Sequence, residues 1–117
     1  MEEFIKICKT SVLKNKRGQK FTLDDDQEIA VFKIEDNFYA VSNICPHNHS
    51  PVIADGFIDK DLYVICPVHC YRFNLKTGEV PEENKELGGK LEIFKTKVIN
   101  GELWIEKKKK KKIFFDW

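Results

Sequence analysis

Short apolar runs separated by polar turns make up most of the chain, and the 3.6-residue spacing of an amphipathic helix is almost absent. Phe4-Ile5-Lys6-Ile7-Cys8 opens as a β-prone run, and residues 14–20, basic with one glycine, predict a turn. Glu28-Ile29-Ala30-Val31-Phe32-Lys33-Ile34 reads as a strand, Glu35-Asp36-Asn37 as a reversal and Phe38-Tyr39-Ala40-Val41 as the returning strand. A second hairpin is predicted from Gly56-Phe57-Ile58 and Leu62-Tyr63-Val64-Ile65 around Asp59-Lys60-Asp61. A third joins residues 91–98 to Leu103-Trp104-Ile105, with Asn100-Gly101 supplying the positive φ of a tight turn. Residues 81–90 are polar and read as an ordered loop. No internal repeat is visible. Strands this short, punctuated this way, predict an all-β sandwich or barrel-like fold. Phe4, Phe32, Phe38, Tyr39 and Trp104 are the expected aromatic core.

Length and charge narrow the possibilities. At 117 residues the chain predicts one domain, residues 1–106, and a tail, 107–117. No apolar run approaches the roughly 20 residues of a membrane-spanning helix. Glu2, Glu3, Lys6 and Lys9 break up any secretory signal in the first ten residues, so a cytoplasmic location is expected. The formal net charge of +1 conceals an asymmetry: residues 1–106 carry 14 basic and 18 acidic side chains, and six consecutive lysines follow. An acidic body lacks the clustered cations that grip phosphates, which argues against nucleic acid as a partner.

The cysteines are Cys8, Cys45, Cys66 and Cys70, and the histidines are His47, His49 and His69. Each histidine falls within four residues of a cysteine. In a reducing compartment that interleaving points to metal before disulfides. Cys45-Pro46-His47 and Cys66-Pro67-Val68-His69 each follow a predicted strand, with 18 residues between His47 and Cys66. Each loop can therefore aim one thiolate and one imidazole at a common point from a rigid base. Two sets of chemistry fit these four ligands: a structural tetrahedral zinc, or a 2Fe–2S cluster with both thiolates on one iron and both imidazoles on the other.

The C-x-H and C-P-x-H pair resembles the Rieske family. The likeness is sharp from Phe38 to Glu79 and includes Pro51, Gly56 and the run Cys66-Pro67-Val68-His69-Cys70-Tyr71-Arg72-Phe73-Asn74-Leu75-Lys76-Thr77-Gly78-Glu79. It implies a Rieske-like antiparallel β-sandwich with two cluster-binding loops at about residues 43–79, and Cys45, His47, Cys66 and His69 as ligands of one 2Fe–2S cluster. The implied role is transfer of single electrons, with no catalysis of its own. The implied partners are a flavin- or NAD(P)H-dependent reductase and a terminal oxygenase, or the large subunit of an NAD(P)H-dependent nitrite reductase. The high-potential branch of the family has an extra cysteine in each loop and a Ser and a Tyr as hydrogen-bond donors. Ser50, Val68, Tyr71 and Phe73 stand at those positions here, which implies a potential near the low end, roughly −150 mV.

Other residues receive plainer readings. Cys70 takes the place of a glycine after the second histidine and reads as an inert small residue or a free thiol beside the cluster. Cys8 reads as a small buried hydrophobe, and His49 as a surface neighbour of the loop. The tail, six lysines and then Ile113-Phe114-Phe115-Asp116-Trp117, reads as a solvated extension whose aromatic end folds back. A docking arm for an acidic partner or anionic surface is the other reading.

Overall fold

The computed structural model describes residues 3–23, 27–46, 50–68, 71–81 and 90–107. Among these are ten strands: β1 (Glu3–Lys9), β2 (Gly18–Thr22), β3 (Glu28–Ile34), β4 (Asn37–Ser42), β5 (Phe57–Ile58), β6 (Tyr63–Ile65), β7 (Arg72–Asn74), β8 (Ile93–Phe94), β9 (Thr96–Ile99) and β10 (Glu102–Lys107). Two 3-10 turns, Thr10–Val12 and Ile53–Asp55, are the helical elements among the described residues. The strands form three antiparallel sheets, ordered β1-β10-β9, β2-β3-β4-β8 and β5-β6-β7. The all-β expectation holds.

The apolar run in β3 explains how the sheets stack. Ala30, Phe32 and Ile34 point into one core with Val41, Ile53, Val64, Phe73 and Leu91. Ile29 and Val31 point the other way, into a second core with Ala40, Phe94, Leu103 and Ile105. A strand apolar on successive positions is buried on both faces, and β3 is the middle of the stack. All three predicted hairpins form, with β3 and β4 in register from Ile29↔Ser42 to Ile34↔Asn37. Asn100 and Gly101 take φ values of 50° and 75°, as the tight turn requires.

Three expectations need correction. Residues 14–20 are not all turn. The reversal is confined to 14–17, where Lys16 takes φ 63° and its amide donates to the Lys33 carbonyl at 2.7 Å. From Gly18 the chain pairs with β3 as an edge strand whose Gln19, Lys20 and Thr22 face water, so it shows little apolar alternation. Residues 91–98 are not one strand. The chain changes sheets at Lys95, whose amide donates to Glu106 Oε1 at 2.9 Å while its carbonyl accepts from the Glu106 amide at 3.0 Å. Of the five expected core aromatics Phe32 is fully buried, whereas Phe4, Phe38, Tyr39 and Trp104 keep an exposed edge. The face of the Phe4 ring takes a cation–π contact from the Lys97 ammonium, 4.2 Å from its centre.

Gly78 fixes the junction below the second loop. Its φ is 81°, its amide donates to the Asn74 carbonyl at 2.7 Å, and its carbonyl accepts from the Leu91 amide at 2.8 Å. A Cβ at this position would collide with the Leu91 carbonyl. Gly78→Ala is therefore expected to cost about 2 kcal/mol from the left-handed backbone alone, read as a lowered midpoint in urea denaturation. An unchanged midpoint would show that this turn is not under constraint.

Candidate metal centre

Both loops grow from strand ends in the same way. β4 ends at Ser42, whose Oγ accepts from the Ile44 amide at 3.1 Å, and Cys45 follows. β6 ends at Ile65, and Cys66 is the next residue. The Cys45 amide donates to the Ser50 carbonyl at 2.9 Å, and the Cys66 amide donates to the Tyr71 carbonyl at 2.8 Å. In each case the partner lies five residues on, so each loop is closed into a ring by its own backbone. Cys45 and Cys66 are fully buried and belong to the same hydrophobic core. The two loops thus bring both thiols into one core.

His47, His49, His69 and Cys70 lie outside the described residues. Both rings nevertheless enclose one histidine of the expected ligand set, His47 between Cys45 and Ser50 and His69 between Cys66 and Tyr71. Pro67 and Val68, at the exposed side of the second ring, face solvent. The donor chemistry suits an iron–sulfur centre: neither ring contains a carboxylate, and thiolates backed by apolar side chains favour soft metals and clusters over hard cations. Phe73, which has no hydroxyl to donate, is fully buried in the core.

Asn43, absent from the expected site residues, holds the first loop. Asn43 is 1% exposed, the one buried polar side chain in the described core. Its Oδ1 accepts from the Ala54 amide at 2.7 Å, and its Nδ2 donates to the Pro51 carbonyl and to Glu28 Oε1, each at 3.2 Å. Its own amide donates to the Glu28 carbonyl, and its carbonyl accepts from the Ile53 amide. One amide side chain thereby joins β3, the far limb of the loop and the Ile53–Asp55 turn. A signal was present in the polar Ser42-Asn43 pair between an apolar strand and the first cysteine.

The second loop is braced differently. Asp59 Oδ1 accepts from the amides of Asp61 and Tyr63 at 2.9 and 3.0 Å, while Oδ2 pairs with Arg72 at 3.5 Å. The Arg72 guanidinium lies 5.1 Å from the centre of the Tyr63 ring. Arg72 opens β7, a strand within the run that resembles the second cluster-binding loop. Asn74 then caps the following turn, its Oδ1 accepting from the amides of Lys76 and Thr77. Cys8 stands apart from this site in β1. It packs half-buried against the second core, and loss of solvent pushes its thiol above the ordinary value of 9.0.

Comparison with known proteins agrees with this geometry. The 3-phenylpropionate/cinnamic acid dioxygenase ferredoxin subunit of Escherichia coli (strain K12) is 34% identical over 62 residues, which is 53% of this chain and 58% of that protein. The match thus spans little more than half the length of this curated relative. Among solved structures, a chain of the complex of reduced oxygenase and oxidized ferredoxin in carbazole 1,9a-dioxygenase superposes with a TM-score of 0.78 at 26% identity, covering 93% of this chain and 97% of the other. The nitrite reductase (NAD(P)H) small subunit from Erwinia carotovora superposes with a TM-score of 0.75 at 26% identity, covering 92% and 84%. Residues 3–106 match the family of Rieske-like 2Fe–2S domains, and the chain belongs to that family.

Proposed function

We propose that Cys45, His47, Cys66 and His69 hold one Rieske-type 2Fe–2S cluster, and that the chain is a ferredoxin passing single electrons to a terminal oxygenase. The reading rests on the two fully buried cysteines in rings of equal closure, each enclosing a histidine of the set. When bound, the cluster supplies a centre that takes up and releases one electron. The protein's part is to seat the thiolates inward among Val64, Phe73 and Ile53 and to keep water from that side. Pro67 and Val68 of the second ring are exposed and leave that part of the loop open to a partner. With Phe73 unable to donate, the potential sits low in the Rieske range, at about −150 mV. That suits a flavin- or NAD(P)H-dependent reductase as donor, in the cytoplasm, and a carrier that catalyses nothing alone.

Similarity to the Erwinia small subunit over nearly the whole chain supports a second reading, an accessory subunit of nitrite reductase. Native purification separates the possibilities. The expected product is coloured, carries two iron and two acid-labile sulfide per chain, takes up one electron from dithionite, and comes free of any large subunit. A co-purifying sirohaem protein would establish the nitrite reductase reading. A colourless protein with zinc and no sulfide would sink both.

A further inference from the structure

A groove of about 420 Å³ lies away from the two rings, between the start of β4 and the junction of β8 with β9. Phe38, Tyr39, Leu75, Ile93 and Phe94 form its apolar walls, and Lys76 stands at its rim. Phe38, Tyr39 and Ile93 are only half-buried, so aromatic and aliphatic surface is presented there. Glu106 also lines the groove, one residue before β10 ends at Lys107. The chain therefore leaves the domain at the edge of this groove. Five further lysines follow, then Ile113-Phe114-Phe115-Asp116-Trp117, in which four of five side chains are apolar.

We propose that residues 113–117 fold back into this groove, as an internal ligand of the domain. Reach is sufficient: residues 108–112 extended span about 17 Å at roughly 3.3 Å each, and the groove begins where they start. Chemistry matches as well. Each Phe or Trp ring can bury roughly 150–250 Å², and such a run left in water would form the kind of apolar patch that soluble surfaces avoid. Asp116 lies between Phe115 and Trp117 in the sequence, and the groove offers it the Lys76 ammonium at the rim and Lys95 beyond. The lysine run forms the outward bend, where mutual repulsion is relieved by solvent. The groove borders the beginning of β4 while Cys45 follows its end, so the proposal is independent of what metal the rings hold.

NMR on the full chain tests this. Ring protons of Phe114, Phe115 and Trp117 should show NOE contacts to the methyls of Leu75 and Ile93, unchanged on tenfold dilution. Replacing Phe114, Phe115 and Trp117 together by Ser should raise amide exchange at residues 38–40 and 93–96 about tenfold and leave exchange in β3 unaltered. Asp116→Lys or Lys76→Glu alone should weaken the contacts, and the two together should restore them. The proposal is overturned if the NOE contacts are missing. It is equally overturned if they arise only between differently labelled chains, which would make the occupant a second copy. Unchanged exchange in the triple variant also sinks it.

Discussion

Cys66→Ala should yield a colourless protein whose iron content falls from two per chain to near zero, and which nonetheless remains folded. The first half follows from the proposed ligand set, since a binuclear cluster cannot keep one of its irons with a single thiolate anchor. His69→Ala should behave alike. The second half follows from packing. Both hydrophobic cores close through residues that are not ligands, Phe32, Val41 and Phe73 in one and Ile29, Val31 and Leu103 in the other. This distinguishes the chain from small zinc modules that unfold when metal is withdrawn. Circular dichroism and metal analysis on the same sample decide both halves. Cys8→Ala is the control, because Cys8 lies in β1, outside both rings, and its loss should leave iron content unchanged. Full iron in Cys66→Ala would refute the ligand assignment.

Asn43→Ala should cost about 4 kcal/mol, because three buried side-chain hydrogen bonds are lost at once and their partners are stranded. For a domain of this size that corresponds to a fall of roughly 16 °C in melting temperature. The loss should also be visible at the cluster. Without the Asn43 side chain the far limb of the first ring keeps its backbone bonds, among them Ile53 to the Asn43 carbonyl, but loses the ties through Pro51 and Ala54. Iron should therefore dissociate faster on chelator challenge even at temperatures where the fold survives. Asn43→Asp is no rescue. It keeps the acceptor for the Ala54 amide but sets a second carboxylate against Glu28 and removes the donor to Pro51. A variant that melts and holds iron like the parent would show that the network is incidental.

The parts of this molecule that were legible in the sequence are those where a local pattern has one cheap solution. The unbroken apolar run of β3, the Asn100-Gly101 turn and the alternation of cysteine with histidine are of this kind, and the fold and cofactor family follow from them. What was hidden depended on partners far away in the chain. β2 is a strand only because β3 offers it an edge, and its exposed Gln19 and Lys20 give no apolar signal. The sheet change at Lys95 is imposed by Glu106, eleven residues away. β7 exists through its pairing with β6, with Val64 opposite Phe73. Asn43 reads locally as an ordinary turn residue, and its importance comes from bonds to Glu28, Pro51 and Ala54 that only the folded chain brings together.

The backbone closure of both rings, Cys45 to Ser50 and Cys66 to Tyr71, has a kinetic consequence. With the proposed cluster in place, these closing bonds would hold the Cys45 and Cys66 backbone fixed as its charge changes by one unit. A site that barely moves between oxidation states needs little nuclear reorganisation, which lowers the barrier to electron transfer. In the proposed role, such a framework would favour fast hopping in both directions across a small potential difference.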